Sequence, residues 1–130
     1  RDMSQEVQGQ PAQQVVEGVL RTGPVRSSGY ALKLRRVANA ALRGLIKDGL
    51  ATAAQVNEEL TRLNKVLYSY IVEKYRIPKD AVVSITVKYV ISDGRFAVKG
   101  VEANVYERDE ILSNNVTEGV MRELALQAQQ

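Results

Sequence analysis

Apolar residues recur at helical spacing in the first half of the chain and alternate with polar residues in the second half. After Gly23-Pro24, which interrupts any regular element, a helical pattern begins at Ser27 or Ser28, each a candidate N-cap, and ends at Gly49. A second helical pattern begins at Thr52, which opens a Ser/Thr-x-x-Glu/Gln capping box, and runs to about residue 75. Few residues separate the two patterns, so they predict an antiparallel helical hairpin.

The second half of the chain predicts strands. Residues 81–92 alternate between apolar and polar, and Asp93-Gly94 then predicts a type I′ hairpin turn. The return segment, residues 95–107, changes parity at Lys99-Gly100, which indicates a bulge or a second turn. Residues 15–20 are apolar enough for one further short strand.

The order of these elements predicts a single α+β domain over residues 15–127. In this fold the antiparallel helical hairpin packs on a small antiparallel β-sheet and a C-terminal helix follows. The pattern places this last helix at about residues 116–127, with Ser113 or Asn115 as its cap. Residues 1–14 contain five glutamines and no apolar periodicity, so we expect a flexible N-terminal tail. We expect residues 128–130 to fray.

The composition argues against catalysis. The 130 residues include no cysteine and no histidine, which excludes disulfides, thiolate chemistry and imidazole-based acid–base or zinc sites. The adjacent acidic pairs, Glu58-Glu59 and Asp109-Glu110, lie in segments that read as exposed and favour salt bridges or solvation over Mg²⁺ binding. We therefore expect a non-enzymatic protein without a cofactor. A carboxylate- and metal-based nuclease or phosphotransferase is the enzymatic alternative.

The hydrophobic runs also bear on location. No apolar run approaches the roughly 18 residues that a membrane span requires. The glutamine- and glutamate-containing start does not resemble a signal peptide. We expect a cytoplasmic protein with no membrane partner.

Basic residues are concentrated in one segment of the chain. Residues 21–47 contain seven Lys and Arg and no Asp or Glu, so this segment carries +7 while the remaining sequence carries −4. The seven are Arg21, Arg26, Lys33, Arg35, Arg36, Arg43 and Lys47. Such a segment attracts polyanions, and ordinary solvated surfaces instead intersperse both signs. Nucleic acid is the first candidate partner.

A helical wheel aligns four of these basic residues. Lys33, Arg36, Arg43 and Lys47 fall in about an 80° stripe opposite the apolar face of the first helix. Arg35 projects toward the apolar edge instead, where it would snorkel or pair with a carboxylate. The stripe suits phosphate contacts, because Lys and Arg at successive turns neutralise phosphates and release counterions.

Other residues complete the candidate interface. Tyr30 and Phe96 lie beside basic residues and could stack on unpaired bases, although a core position is the common role for an isolated aromatic residue. Lys88, Arg95 and Lys99 lie on or near the hairpin, where they either extend the basic surface or guard an edge strand. The candidate nucleic-acid-binding residues are therefore Arg21, Arg26, Tyr30, Lys33, Arg36, Arg43, Lys47, Lys88, Arg95, Phe96 and Lys99.

Several segments resemble one known family. They are Tyr30-Ala31-Leu32-Lys33-Leu34-Arg35-Arg36-Val37, Leu63-Asn64-Lys65-Val66-Leu67-Tyr68, the Asp93-Gly94 hairpin and Val105-Tyr106-Glu107-Arg108. In their sequence and order these segments resemble ThermoDBP and its related proteins, the single-stranded DNA-binding proteins of thermophilic archaea. The resemblance implies an α+β domain with a basic cleft, edged by apolar groups, that holds single-stranded DNA with little sequence preference.

The resemblance also implies a homodimer held by a C-terminal coiled coil. This chain departs from that pattern, because Val120, Leu124 and Leu126 provide too short a seam for three or four heptads. The basic stripe does not distinguish DNA from RNA, so RNA stays an alternative ligand. A different class of function is a protein-interaction module whose basic helix docks on an acidic protein.

Overall fold

Strands and helices follow the predicted order, with one additional short strand at residues 25–26 that the sequence did not predict. In a computed structural model, which describes residues 15–129, the elements are β1 (Val16–Arg21), β2 (Val25–Arg26), α1 (Tyr30–Lys47), α2 (Ala53–Tyr68), β3 (Val82–Ser92), β4 (Arg95–Tyr106) and α3 (Glu110–Ala128). A short 3₁₀ turn, Ser27–Gly29, leads into α1, and a π-helical turn, Ser69–Lys74, extends α2. The predicted α+β class, with a helical hairpin on an antiparallel sheet and a C-terminal helix, is confirmed.

The long strand β3 lies at the centre of the sheet. β1 and β2 pair with one of its edges and β4 pairs with the other, all antiparallel. Lys88 pairs with Gly100 and Tyr89 pairs with Val98, so Lys99 is the extra residue of a β-bulge. The parity change in the sequence is therefore a bulge and not a second turn.

Left-handed backbone marks two of the predicted turns. Asp93 and Gly94 have φ angles of 53° and 77°, as a two-residue type I′ turn requires. Gly49 ends α1 with a φ of 82°, and its N–H donates to the carbonyl of Ile46 at 3.0 Å. Glycine adopts this conformation without steric cost, so Gly49 ends α1 as the sequence predicts.

One face of the sheet forms the core with the two helices. Successive strand residues point to opposite faces, and the buried residues of β3 are all on the same parity. The buried positions of α1 recur every four residues and meet this face. Main members of the core are Leu20, Tyr30, Leu34, Ala38, Leu42, Val56, Leu60, Leu67, Val83, Ile85, Val87, Tyr89, Ile91 and Phe96. Burial of this apolar surface is the dominant favourable contribution to folding.

The N-cap predictions have mixed outcomes. Thr52 caps α2 as predicted, because its Oγ1 accepts a hydrogen bond from the Gln55 N–H at 3.2 Å. The predicted Ser27 and Ser28 caps of α1 are wrong: Gly29 occupies the N-cap position and makes no side-chain cap bond. The two serines instead form the 3₁₀ turn, and their N–H groups donate to residues 79 and 81.

The last helix is longer than the sequence pattern indicated. It begins at Glu110, and the Asp109 carboxylate caps it by accepting from the Leu112 N–H at 2.9 Å. The predicted caps Ser113 and Asn115 are wrong, since both lie inside α3. None of the residues of α3 is buried by the described part of the chain.

The predicted flexible tail, residues 1–14, lies outside the described residues. At the other end α3 continues to Ala128, so helix persists to the start of the segment expected to fray, and residue 130 also lies outside the description. Within residues 15–129, no helix is long and apolar enough to cross a membrane.

Candidate nucleic-acid interface

Four basic side chains are aligned along one side of α1. Lys33, Arg36, Arg43 and Lys47 are all exposed and lie opposite the buried positions of the helix. None of them forms an ion pair with any residue in the range 15–129. At 1.5 Å per residue the stripe is about 21 Å long. We call these four residues the α1 stripe.

Arg35 belongs to the helical hairpin and not to this stripe. Its guanidinium donates to Oδ1 of Asn57 and, at 3.1 Å, to Oγ1 of Thr61, both on α2. Of the two alternatives for Arg35, the carboxylate partner is wrong, because an amide oxygen and a hydroxyl accept these bonds instead. Arg35 reaches sideways to α2 while Arg36 points into solvent, so two consecutive arginines have different environments.

Two further basic residues of the segment 21–47 lie on the sheet. Arg21 is paired with Thr86, and Arg26 is paired with Val82. Directly paired residues share a face of the sheet, and these partners alternate with the buried positions of β3. Arg21 and Arg26 are therefore on the sheet face that points away from the helices. The sequence places seven basic residues together, and the fold assigns four of them to the stripe.

The open face of the sheet carries Lys88 and Lys99. Lys88 is on the central strand, so it does not guard an edge, whereas Lys99 is the bulge residue of the edge strand β4. Both residues line a shallow hollow of about 400 Å³ together with Glu17 and Val19. Glu102 lines an adjoining hollow with Lys88. This face therefore mixes both signs of charge, and the sheet separates it from the α1 stripe.

Arg95 lies apart from both groups, at the start of β4. Arg62 donates to Glu59 on α2 at 3.0 Å and thereby lowers the pKa of that carboxyl. The charges of Arg62 and, more weakly, Arg95 also lower it, so Arg95 lies within electrostatic reach of Glu59. A nearby carboxylate thus partly offsets the charge of Arg95.

The two predicted stacking residues are core residues. Tyr30 and Phe96 are 4% and 1% exposed. The Tyr30 hydroxyl donates to the Asn64 carbonyl at 3.4 Å, and burial raises its pKa. The Phe96 ring lies 5.3 Å from the ring of Tyr89, and its backbone N–H and C=O bond to the Gln55 side-chain amide. Neither ring offers a free face, so both stacking predictions are wrong.

Exposed tyrosines that the sequence reasoning missed lie where α2 ends. Tyr68, Tyr70 and Tyr75 are 50%, 49% and 65% exposed. The rings of Tyr70 and Tyr75 are stacked, with centroids 6.4 Å apart and an interplanar angle of 28°. The signal in the sequence is the alternation of tyrosine with basic residues over residues 65–79. The helical pattern conceals this signal, because Tyr70 fits the apolar stripe of a regular helix.

The described residues offer no evident metal centre. No group of three or more His, Cys, Asp or Glu side chains within residues 15–129 is arranged to hold a metal ion.

Comparisons with known proteins agree on one family. Residues 20–97 match the family model described as ThermoDBP-related, archaea. The crystal structure of apeThermo-DBP-RP2 bound to ssDNA dT10 is similar to this chain, with a TM-score of 0.72 and 30% sequence identity. The match covers 88% of this chain and 54% of that one, so the chain spans about half the length of apeThermo-DBP-RP2.

A second structure supports the same grouping. The crystal structure of pfuThermo-DBP-RP1 is similar, with a TM-score of 0.61 and 28% identity over 86% of this chain and 82% of that one. No match to the chain was found among curated proteins. The family match covers more than half of the sequence, and both similar structures are Thermo-DBP-RP proteins. The chain therefore belongs to the ThermoDBP-related family of archaea.

Proposed function

We propose that this protein binds single-stranded DNA, largely without regard to sequence, and that it does so without catalysis. The observation that carries the proposal is the 30% identity over 88% of the chain to apeThermo-DBP-RP2, which was crystallised with a ten-nucleotide thymidine strand. The α1 stripe supplies a physical means of binding such a strand.

The stripe acts on the phosphates. Its four exposed cations have no carboxylate on α1 to compete with a phosphate. Each neutralised phosphate of a single strand releases counterions, so four contacts correspond to a log–log salt slope of about −3. Contacts to phosphate carry no sequence information, which accounts for binding without sequence preference.

A flexible single strand suits this surface better than a duplex does. Proteins that read duplex sequence place Asn, Gln and Arg against base edges in the major groove. The stripe itself consists of Lys and Arg, with Ala40 and Gly44 between them, and Asn39 at its border is the single amide on α1. RNA offers the same phosphates, so we include it as a ligand to be tested.

The absence of catalysis is part of the proposal. The sequence has no histidine or cysteine, so general acid–base or nucleophilic chemistry would rest on other groups. A DNA ligand would place the protein in the cytoplasm, associated with the nucleoid.

We also propose that the protein is a homodimer joined through α3. Leu112, Val116, Val120 and Leu124 recur every four residues along this helix, and each is at least half exposed. Rows at this spacing pack between helices that cross at about 50°. Multi-angle light scattering would show a dimer that V120E/L124E converts to a monomer. A monomeric wild-type protein would contradict this part of the proposal.

Fluorescence anisotropy with a labelled 20-nucleotide strand tests DNA binding. The ligands are the single strand, the matching duplex and the RNA of the same sequence, each across a salt series. We expect at least tenfold tighter binding of single-stranded DNA than of duplex. The double variant Arg36→Ala and Arg43→Ala should weaken binding roughly ten- to hundredfold at low salt.

The matched control removes the same number of positive charges from the β-sheet. Lys88→Ala and Lys99→Ala also delete two cations, but from the open face of the sheet. We expect this variant to retain the wild-type affinity within about threefold. Equal losses in the two variants would contradict the assignment to the α1 stripe, and no binding by the wild type at low salt would contradict the function itself.

A further inference from the structure

The stacked tyrosine pair at the end of α2 has an unusual backbone origin. In a regular α-helix two residues five apart are turned by about 140° from each other, so their rings diverge. Here α2 continues as a π-helical turn, and the Tyr75 N–H donates to the Tyr70 carbonyl at 2.9 Å. This bond brings the two rings side by side. Single π-helical turns are rare and occur frequently at functional sites.

The backbone beyond the turn holds the pair in place. Arg76 has a φ of 49°, in the left-handed region that a non-glycine residue seldom adopts. The next residue, Ile77, donates its N–H to the carbonyl of Ile71 at 2.8 Å. The chain therefore reverses immediately after Tyr75, and both rings remain at the surface.

An apolar groove adjoins the rings. It has a volume of about 330 Å³ and lies between the end of α2 and the second half of β4. Tyr70 and Tyr75 form part of its wall, and Val66 and Val105 also line it. Flat aromatic walls around an open apolar groove suit a planar, partly apolar ligand.

The charge around the groove favours a polyanion. The Lys74 ammonium lies 5.3 Å from the Tyr70 centroid and 5.5 Å from the Tyr75 centroid, within cation–π range of both rings. Lys65, Arg76 and Lys79 flank the same segment, and the single acidic residue between positions 65 and 79 is Glu73. A ligand that combines planar rings with phosphates matches this surface, whereas an acidic helix would leave the exposed ring faces without a specific partner.

The position of the pair relates it to the α1 stripe. The Tyr30 hydroxyl bonds to the Asn64 carbonyl, and Arg35 bonds to Thr61 and Asn57, so α1 and α2 are antiparallel. The end of α2 consequently lies at the same end of the hairpin as Lys33, where the stripe begins. The groove beside the tyrosines is on the side of α2 that faces β4, so a DNA strand that runs on past Lys33 would cross the end of α2 to reach them.

We infer that Tyr70 and Tyr75, with Lys74, form a stacking site for unpaired nucleobases at one end of the phosphate-binding stripe. The inference rests on the proposed function, which it deepens by naming the residues that contact bases. Stacking on an aromatic side chain contributes about 1–3 kcal/mol per base, which corresponds to roughly five- to 150-fold in affinity.

Two oligonucleotide ligands distinguish the contribution of base stacking from that of phosphate charge. One is a dT10 oligonucleotide, and the other is a ten-unit abasic deoxyribose-phosphate strand with the same charge and no bases. The wild-type protein should bind dT10 at least fivefold more tightly than the abasic strand. The variant Tyr70→Ala and Tyr75→Ala should lose this preference and keep both its affinity for the abasic strand and its salt slope.

Two controls accompany this variant. Tyr70→Phe and Tyr75→Phe retain the ring faces and should retain the preference for dT10. Tyr106→Ala removes a tyrosine that is equally exposed at 50% but is paired with Val82 on the other face of the sheet, and should have no effect. Circular dichroism verifies that each variant is folded.

A second readout does not require the alanine variant. The chain has six tyrosines and no tryptophan, so its intrinsic fluorescence comes from tyrosine. The dT10 strand should quench this fluorescence more than the abasic strand does, and the double phenylalanine variant should lose that extra quenching.

The contrary outcomes are distinct. Unchanged dT10 affinity in the alanine variant, together with wild-type quenching in the phenylalanine variant, would overturn the stacking site and leave single-strand binding intact. A change of oligomeric state in the alanine variant, with no change in dT10 binding, would instead make the groove a protein contact. Failure of the wild type to bind either strand would overturn the stacking site and the proposed function together.

Discussion

The α1 stripe and the open face of the sheet each carry four basic side chains and differ in how the charges are arranged. On the helical face the α1 stripe has four cations in one line and no carboxylate on the same helix. On the open face of the sheet, Lys88 and Lys99 share a hollow with Glu17, and Lys88 also adjoins Glu102. A polyanion that follows α1 meets only cations on that helix, whereas on the open face of the sheet it meets both cations and carboxylates.

This difference shows how a fold redistributes a run of charge. The segment 21–47 has a net charge of +7 in the sequence. The strands direct Arg21 and Arg26 to the sheet face, and α1 directs Arg35 to α2. What is left on α1 is smaller than the sequence suggests, but no acidic residue lies on the same helix, and that segregation makes α1 the better candidate for binding phosphate.

Charge reversal should give the largest difference in DNA affinity between the α1 stripe and the sheet face. In Arg36→Glu with Arg43→Glu the stripe would carry equal numbers of both signs, and we expect more than a hundredfold loss of affinity for single-stranded DNA at low salt. The same reversal at Lys88 and Lys99 should cost less than tenfold, because that face already contains carboxylates. Anisotropy titrations would check both values, and a larger loss in the sheet variant would contradict the account.

The sheet can also be perturbed without changing any charge. Gly18 on β1 is covered by the ring of Tyr89, and an added Cβ would overlap the Tyr89 hydroxyl and Cζ. Gly18→Ala should therefore lower the free energy of unfolding by about 1–3 kcal/mol. Denaturant unfolding measures this loss.

Binding by this variant gives the complementary result. At a temperature where Gly18→Ala is fully folded, its affinity for single-stranded DNA should equal that of the wild type, because the α1 stripe is unchanged. Val19→Ala, at an exposed neighbouring position of β1, is the matched control and should unfold nearly as the wild type does. Unchanged stability of Gly18→Ala would show that the Tyr89 ring moves without cost.

The consecutive residues Arg35 and Arg36 allow stability and DNA binding to be compared within a single helix. Arg35→Ala removes two hydrogen bonds to α2 and should reduce the free energy of unfolding by about 1 kcal/mol with little change in affinity. Arg36→Ala should change stability by less than about 0.5 kcal/mol and weaken DNA binding roughly three- to tenfold. Thermal unfolding and anisotropy, measured on both variants, should give opposite profiles; identical profiles would contradict the division of roles.

The smallest expected effect is a gain. Glu17→Gln with Glu102→Gln removes the two carboxylates beside Lys88 and leaves the sheet face with basic charge. We expect affinity for single-stranded DNA to rise about two- to threefold at low salt and to return to the wild-type value at high salt. A gain that persists at high salt would indicate a contact other than charge.

Local signals in the sequence predict the elements of this fold well. Asp93-Gly94, Thr52 and Gly49 specify their turn, cap and helix end through their own backbone and side-chain preferences. The change in the apolar–polar alternation at Lys99 indicates a bulge. One inserted residue moves every later side chain of the strand to the opposite face of the sheet. These features depend on residues close in sequence, so a sequence pattern suffices.

Features that depend on packing between distant residues are not visible in this way. Tyr30 and Phe96 each lie beside a basic residue in the sequence, but α2 covers Tyr30 and Gln55 binds the backbone of Phe96. The stacked pair of Tyr70 and Tyr75 arises from a π-helical turn that the helical pattern does not reveal. The role of a side chain at the interface is therefore set by which element lies across from it.

The most direct test of the central claim is the salt dependence of single-strand binding, measured for the wild type, R36A/R43A and K88A/K99A. Four phosphate contacts on α1 predict a log–log slope of about −3 for the wild type and for the sheet variant, and about −1.4 for the helix variant. A wild-type slope near zero, or a slope that falls in the sheet variant and not in the helix variant, would contradict the claim that the α1 stripe binds the phosphates.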